Sequence, residues 1–413
     1  MAYGAGALLL SAECTLFSMV RIPWSVLGLG IPLAGISGWL LWTGRSRRTT
    51  NAGVETLPEA PWPAWIAGGL AIAFLGAALA GSYASSVDLV LFYGVKAVRF
   101  AQARSLDAAL LGQFFFYHGA PWYPPLMPII EAWGILVAGG MPWRFVPVIS
   151  LVWLLAAAAA IGSRLRRRIG PDAGAAVGAF WTAALALSLA YAYSGGNAEA
   201  PLLYYVSVAG AWLLTDFPGE SRLLPALCLA GAAFSKQEGL VAALALAAGA
   251  AMRDAAERRE RPLRRCLPLF AFPFAAVALW WGYQKVAGLH AGFAAPTSLS
   301  GVRLSLLPEV LPDLIRNLNA GTFGLSWIVP LAFLVASGKR ALRAAPGLVP
   351  AMAVMGAVIA TYIGGTTVDR PLMIIRTLPR ASQTALSLLI LSAGTAWFIR
   401  EQDRPRSRDR PIG

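Results

Sequence analysis

The chain has 413 residues, of which 57% are hydrophobic and 13% charged, and its formal net charge is +14. This composition, with a mean hydropathy of +0.62, excludes a soluble globular protein, because such a chain would expose too much apolar surface to water. We predict an integral membrane protein, and the repeated apolar runs near the roughly 20 residues that cross a bilayer indicate an all-α, polytopic helical bundle.

About twelve membrane spans are predicted in chain order from the apolar runs. They cover residues 1–20, 24–43, 62–81, 145–163, 175–193, 201–215, 223–236, 239–252, 266–284, 323–338, 347–364 and 383–399. Basic residues gather between or after these spans, in the segments 45–48, 164–168, 253–265, 339–343 and 400–410. With the N-terminus in the cytoplasm, every one of these segments is cytoplasmic, so the positive-inside rule accounts for the net charge. Nucleic acid is therefore not a predicted partner.

Three regions follow from this order of spans. Residues 1–61 form an N-terminal two-helix extension with a cytoplasmic linker, residues 62–400 a transmembrane domain, and residues 401–413 a basic cytoplasmic tail. Both termini are predicted to be cytoplasmic, and the richness in Ala, Gly and Arg favours a bacterial inner membrane. The apolar segment 124–140 is predicted to lie in the membrane interface, because counting it as a span would move a basic segment to the outer face.

The first predicted outer loop, residues 82–144, is about 60 residues long, a length more typical of a functional loop than of a simple connector. Its candidate site residues are Asp88, Lys96, Arg99, Tyr117, His118 and Tyr123. Residues 87–103 have a helical apolar period, with Asp88, Lys96 and Arg99 off the apolar stripe, which predicts an amphipathic helix at the membrane surface. Two simpler interpretations stay open. In the first, Asp88 caps the helix or forms an ion pair with Lys96; in the second, the cations reach toward lipid phosphates.

Ionisable residues also stand at the outer ends of later spans. Glu199 precedes the span 201–215, Lys236 lies with Glu238 at the tip of a hairpin of two short spans, and the last outer loop carries Arg370, Arg376 and Arg380. A lysine at such a tip is a functional candidate, because an ionisable group near membrane depth is costly unless it is paired or hydrated. Alternatives are that Glu199 interacts with the helix dipole and that the late arginines contact lipid headgroups. Carboxylates and cations together suit displacement at a phosphorylated lipid.

The order of these motifs resembles that of the GT-C fold glycosyltransferases that use polyprenyl-phosphate sugars, namely the protein O-mannosyltransferase, aminoarabinose transferase and RgtA/B/C/D-like group. The matching motifs are Asp88 after a predicted span, Pro124-Pro125-Leu126, Glu199 in "GGNAEAPLL", Lys236 and Gly239 in "SKQEG", and Arg376 before Pro379. The resemblance covers roughly residues 62–400 and implies a GT-C-like transmembrane domain with an outer-face loop.

The resemblance implies a membrane glycosyltransferase that transfers sugar, with inversion, from a polyprenyl-phosphate donor to an acceptor hydroxyl on a glycan, lipid or protein. It assigns Asp88 as the general base, Lys236, Arg370, Arg376 and Arg380 as ligands of the donor phosphate, and Glu199, Lys96, Arg99, Tyr117, His118 and Tyr123 as substrate-binding residues. No cofactor is predicted, and no metal site is indicated by spacing, although a divalent metal stays open. The three cysteines have unrelated spacings that favour neither disulfides nor zinc.

Two other classes of function remain open at this point. A transporter or lipid flippase would be expected to have ionisable residues or broken helices near the bilayer midplane, and the short pair of spans at 223–236 and 239–252 is its best support. A non-catalytic membrane partner is the third hypothesis.

Overall fold

The computed structural model describes residues 2–35, 38, 69, 89–113, 123–140, 146–192, 197–216, 220–257, 262–289, 303–318, 321–338, 345–364, 378 and 381–398. All regular structure in these ranges is helical, and no strand occurs within them. The predicted all-α class is therefore confirmed for this part of the chain.

The helices are numbered here in chain order. They are α1 (Ala2–Met19), α2 (Val26–Gly35), α3 (Gly94–Ala103), α4 (Ala108–Leu111), α5 (Leu126–Ala138), α6 (Val146–Ile169), α7 (Pro171–Ala192), α8 (Glu199–Leu214), α9 (Leu223–Ser235), α10 (Gln237–Ala256), α11 (Pro262–Val286), α12 (Leu307–Leu318), α13 (Gly321–Ser337), α14 (Ala345–Gly364) and α15 (Gln383–Phe398). A π-helical turn, Leu89–Tyr93, leads into α3, and a 3₁₀ turn, Leu304–Leu306, leads into α12.

Three of these helices contain segments that are long and apolar enough to cross a membrane, Ile149–Ile169, Gln237–Ala256 and Arg264–Val286. Several others, including α8, α9 and α15, are also apolar but shorter. These helices support the predicted membrane character. The count of twelve spans stays a prediction, and the predicted span 62–81 lies outside the described residues apart from Gly69.

Helix α8 lies at the centre of the bundle and is buried along nearly its whole length. It packs against α6, α9 and α15, which fits its apolar surface on all sides. At a rise of 1.5 Å per residue its 16 residues span about 24 Å. Glu199 begins this helix and Thr215 follows it, so polar groups near these two residues lie at opposite ends of the bundle.

The segment 124–140 forms a short helix that packs against the bundle, and its predicted position in the membrane interface stays a prediction. Helix α5 has 13 residues, which makes it about 20 Å long and shorter than the hydrocarbon core. Leu126, Met127, Ile129 and Ala132 are buried, and the helix packs against α3 and α1. It is a packed element of the protein because apolar residues cover more than one of its faces.

Two predicted connectors are helical in the structure. The arginines at 164–168 continue α6 rather than forming a linker, because the helix extends beyond its apolar section. The connector 285–322, between the predicted spans 266–284 and 323–338, contains α12, in which Val310 and Leu314 are buried while Leu311 and Ile315 are exposed. Such a wide apolar stripe is typical of a helix at a membrane interface.

Candidate functional site

The start of α8 and the tip of the α9–α10 hairpin meet in a buried ion pair. Lys236 Nζ lies 3.2 Å from Glu199 Oε1 and also 3.2 Å from Glu238 Oε1. Lys236 and Glu199 are both buried, whereas the Glu238 side chain is 37% exposed. An ammonium group has three N–H donors, so one remains for a ligand after these two carboxylates, as far as the described residues show.

The local backbone explains why this lysine points into the bundle. Lys236 is extended (φ −161°, ψ 158°) and separates α9 from α10. Gly239 then allows the two helices to approach closely, because a Cβ at this position would collide with the carbonyl oxygen of Ala232. The glycine of the Lys-x-x-Gly motif is thus required by this tight hairpin.

The surroundings of Lys236 keep it charged. Burial alone would lower its pKa, but the carboxylates of Glu199 and Glu238 oppose burial and raise the pKa of Lys236 well above its ordinary value. Tyr123 and Tyr93 lie close enough to contribute to the same shift. The hairpin tip therefore provides a fixed positive charge at the end of the bundle.

Aromatic residues from the first predicted outer loop form a wall of the same region. The Phe92 ring lies 4.7 Å from Tyr93 and 5.4 Å from Tyr123 between ring centroids, in edge-to-face arrangements. Phe92 and Tyr93 pack with Met127 and with Ala198, the residue before Glu199. Tyr123, a predicted substrate-binding residue, thus lies close to the ion pair.

Lys96 differs from its predicted place off the apolar stripe, since only 2% of it is exposed. Its Nζ lies 3.8 Å from the centroid of the Phe92 ring, a cation–π contact that compensates part of the lost hydration. Burial lowers the pKa of Lys96 to about 7. The same aromatic wall therefore connects Lys96 with the region of Lys236.

Arg99 has a structural partner within its own loop. Its Nη2 lies 2.8 Å from Asp107 Oδ2, and Asp107 Oδ1 accepts a hydrogen bond from the backbone N–H of Leu110 at the start of α4. About half of the Arg99 side chain is exposed. Its predicted role in substrate binding stays a prediction.

Six of the predicted site residues lie outside the described part of the chain. They are Asp88, Tyr117, His118, Arg370, Arg376 and Arg380. Asp88 immediately precedes Leu89, the first residue of the described π-helical turn, and Leu89 is buried. The roles of all six residues remain predictions from the sequence.

Glu199 also satisfies the simpler interpretation given above, because it lies in the first turn of α8. A carboxylate there interacts favourably with the positive end of the helix dipole. Its own backbone N–H donates to Asn197 Oδ1 at 3.2 Å. The dipole and the ion pair with Lys236 act together on the same carboxylate.

Glu131 is a buried carboxyl group that the sequence reading did not select as a site residue. It is 2% exposed, and neither carboxyl oxygen has a hydrogen-bond partner among the described residues. It lies one turn after Met127 on α5, and therefore on the same helix face as a residue that packs against the aromatic wall. Burial raises the pKa of Glu131 well above its usual range. In the sequence, the signal for this buried carboxyl group was an acidic residue inside an apolar run.

Replacing Glu131 with glutamine is expected to flatten the pH dependence of stability. A raised folded-state pKa means that the folded protein binds the proton more tightly. Stability is then highest below the ordinary carboxyl pKa and falls as pH rises through and above it, by up to about 1.4 kcal/mol per pH unit. Denaturant titration of the free energy of unfolding between mildly acidic and mildly basic pH measures this slope.

The exposed Glu309 provides a matched control for this substitution. Glu309→Gln should leave the pH slope of the wild type unchanged. A Glu131→Gln variant with the wild-type slope would show that Glu131 is not held protonated in the folded protein.

A second ionic cluster lies at the opposite end of the bundle, where the sequence predicted basic cytoplasmic segments. Arg222 Nη2 lies 2.7 Å from both Asp216 Oδ2 and Asp254 Oδ1, while Arg253 and Arg265 also contact Asp216 at 2.9 and 3.1 Å. Burial alone would raise the pKa of Asp216, but these arginines lower it overall. In the sequence, the signal for this cluster was the position of Asp216 and Asp254 at the ends of two predicted spans.

Arg164 extends this arrangement across α6 and α8. It donates from Nε to Thr215 Oγ1 at 2.7 Å and from Nη1 to Glu220 Oε1 at 2.6 Å, and its guanidinium lies 4.9 Å from the Trp212 ring centroid. A residue predicted to lie in a basic cytoplasmic segment between two spans is thus buried and joins three segments.

Metal-binding side chains do not gather within the ranges that the structure describes. No group of three or more His, Cys, Asp or Glu residues suited to a metal ion occurs there. Cys14, Cys228 and Cys266 are free thiols, and all three are buried.

Comparisons with known proteins give no relative. No protein-family model matches the chain. No curated protein and no solved structure matches it either. The chain's own residues and geometry are therefore the basis for a functional proposal.

Proposed function

We propose that the protein is a GT-C-like membrane glycosyltransferase, which moves a sugar from a polyprenyl-phosphate donor to an acceptor hydroxyl at the outer face of a bacterial inner membrane. The observation that carries the proposal is the buried Glu199–Lys236 pair beside an aromatic wall. Two motifs of the resemblance, 37 positions apart in sequence, are in direct contact. The start of α8 and the tip of the α9–α10 hairpin therefore lie together in the proposed site.

The proposed reaction is a single displacement. The acceptor oxygen attacks the anomeric carbon, the bond from that carbon to the phosphate oxygen breaks, and the polyprenyl phosphate leaves with the bonding electrons. The carboxylate of Asp88 takes the proton of the acceptor hydroxyl. One inversion at the anomeric carbon results.

Lys236 would stabilise the departing phosphate through its remaining N–H donor. Because Glu238 is partly exposed and Glu199 is buried, we expect the phosphate to displace Glu238 and leave the pair with Glu199 intact. The carboxylates of Glu199 and Glu238 carry two negative charges, which the single positive charge of Lys236 does not balance. The additional positive charge would come from Arg370, Arg376 and Arg380.

The aromatic wall would hold the sugar or the acceptor. The rings of Phe92, Tyr93 and Tyr123 offer apolar faces, and the two tyrosines also carry hydroxyls for polar contacts. Lys96 stands at the edge of this wall through its contact with Phe92, so its amine could bind an oxygen of either substrate.

The test is release of labelled sugar from a panel of polyprenyl-phosphate sugars by the purified protein in liposomes. The wild type should turn over at least one donor. The variant Glu199→Gln/Lys236→Met, which removes both charges of the pair, should lose about two or more orders of magnitude in rate. The matched control is Lys285→Met, an exposed lysine at the end of α11, which should retain the wild-type rate.

Glu131 favours one second candidate, proton-coupled transport. A buried carboxyl with no hydrogen-bond partner among the described residues is the kind of group through which transporters bind protons. A wild type that releases no sugar from any donor, and that moves a lipid or solute under a proton gradient unless Glu131 is replaced by glutamine, would support transport over transfer.

A further inference from the structure

Helix α12, with the 3₁₀ turn that leads into it, has three distinct sides, and one of them is both apolar and exposed. Leu304, Leu311 and Ile315 follow one another at helical spacing along this side, and they are 71%, 41% and 49% exposed. Glu309 and Arg316 are exposed on a neighbouring, polar side. The third side packs against the protein. Because the helix offers water a separate polar side, its exposed apolar side suits a different environment.

The packed side of α12 fixes the depth at which the helix lies. Its buried residues Val310 and Leu314 form one apolar cluster with the second half of α14, including Ile363. The backbone N–H of Arg303 donates to the carbonyl oxygen of Ile363 at 3.3 Å. Ile363 lies in the last turn of α14, whose 20 residues span about 30 Å, the thickness of the hydrocarbon core. Helix α12 therefore lies at the level where α14 reaches the boundary between acyl chains and headgroups.

This level is at the end of the bundle that carries Glu199 and Lys236. The first turn of α14 lies at the opposite, arginine-rich end, because a Cβ at Gly347 would lie 3.0 Å from Leu214, the last residue of α8. From there α14 packs along α10 and α15, and it reaches Ile363 about 24 Å further along its axis. Since Glu199 begins α8, α12 and the Glu199–Lys236 pair lie at the same end.

The exposed side of α12 suits a lipid surface better than a protein partner. Three side chains on one short helix cannot supply the roughly 800 Å² per partner that a stable protein interface buries. Helix α12 leads almost directly into α13, which contains no charged residue and whose exposed side chains include Ile328 and Leu331. The apolar side of α12 therefore continues into a second surface that also suits lipid.

We propose that α12 docks on the bilayer surface at the Glu199–Lys236 end, with Leu304, Leu311 and Ile315 at the boundary between headgroups and acyl chains. Amphipathic helices bury their apolar side about 5–10 Å into that boundary. Docking also acts on the connector between α14 and α15, because Leu378 of this connector is fully buried in the same cluster as Val310. The membrane thus holds this connector against the bundle through α12, independently of the transfer reaction.

Single introduced cysteines test the docking in the full-length protein. The native cysteines are buried and do not compete for the label. Leu311→Cys on the apolar side and Glu309→Cys, the matched control on the polar side, each carry an environment-sensitive fluorophore in phosphatidylcholine liposomes. The label on Leu311→Cys should emit at shorter wavelength and lose fluorescence to lipid that is brominated near the headgroup end of its chains. The label on Glu309→Cys should be quenched by aqueous iodide instead.

Two outcomes of this measurement would overturn the docking. Iodide that quenches the label on Leu311→Cys as strongly as that on Glu309→Cys would show that water covers the apolar side. Protection of Leu311→Cys from both quenchers would show that a protein, such as a second copy of the chain, covers it.

Leu378→Cys tests the link to the connector. In liposomes this buried thiol should react slowly with a water-soluble maleimide. Adding Leu311→Asp and Ile315→Asp, two exposed positions, should undock α12 and raise the labelling rate about tenfold, the scale of two partly inserted aliphatic side chains. Ser305→Asp, a new acid on the polar side, should leave the rate unchanged. An unchanged rate with Leu311→Asp/Ile315→Asp would show that the membrane does not hold the connector through α12.

Discussion

Replacing Asp88 with asparagine is expected to lower the rate of sugar transfer by about two to four orders of magnitude, the range found when a general base is lost. Asparagine keeps the size of aspartate but cannot accept the proton of the attacking hydroxyl. Steady-state turnover at saturating donor measures the loss, using whichever donor of the panel the wild type accepts.

Donor binding distinguishes the loss of a base from the loss of a binding contact. Asp88→Asn should bind the intact donor as tightly as the wild type and should unfold at the same denaturant concentration. Asp88→Glu should recover part of the rate, because it restores a carboxylate near the required position. Equal turnover by Asp88→Asn and the wild type would remove Asp88 from the mechanism while leaving the site around Lys236 intact.

Replacing Lys236 alone with methionine is expected to destabilise the fold by about 3–5 kcal/mol, because it leaves the Glu199 carboxylate buried without its countercharge. Glu238 adds little to this penalty, since more than a third of its side chain is exposed and hydrated. The measurement is the free energy of unfolding by denaturant titration in detergent. Reaction with a thiol-specific dye provides the readout, because all three cysteines are buried in the folded protein.

The double variant Glu199→Gln/Lys236→Met completes the test. Removing both charges of a buried pair is often neutral or even stabilising, so most of the lost stability should return while sugar transfer remains absent. A double variant that is as unstable as Lys236→Met would show that the lost packing of the lysine chain causes the effect. A stable double variant with wild-type turnover would show that the pair lies outside the reaction.

The described structure bears out the expectations that depend on local apolar runs. Apolar stretches predict helices because backbone polar groups must be satisfied within the chain when water is excluded, and α8, α9, α13, α14 and α15 begin and end within two residues of the predicted spans. Helices α6 and α10 extend several residues further, because a helix does not stop where its apolar section ends.

The sequence indicates candidate site residues where a charged residue interrupts an apolar segment. Lys236 and Glu199 were selected for this reason, and they are in contact. Glu131 interrupts the same kind of context but was attributed to an interfacial helix, and Asp216 and Asp254 were not selected. Their burial depends on residues far away in sequence, which a pattern along one segment does not contain.

The sequence by itself determined the helical, membrane-type character of the described segments and which connectors carry ionisable groups, because burial of apolar surface and backbone hydrogen bonding act locally along each segment. Only the tertiary structure decided which charges meet. Packing around α8 brought Glu199 to Lys236 at one end and placed Arg164 and Arg222 in buried ion pairs at the other. It also buried Lys96 against Phe92. The physical reason is that the energy of an ion pair depends on the distance and the dielectric environment of its two partners, and both are fixed by contacts between helices.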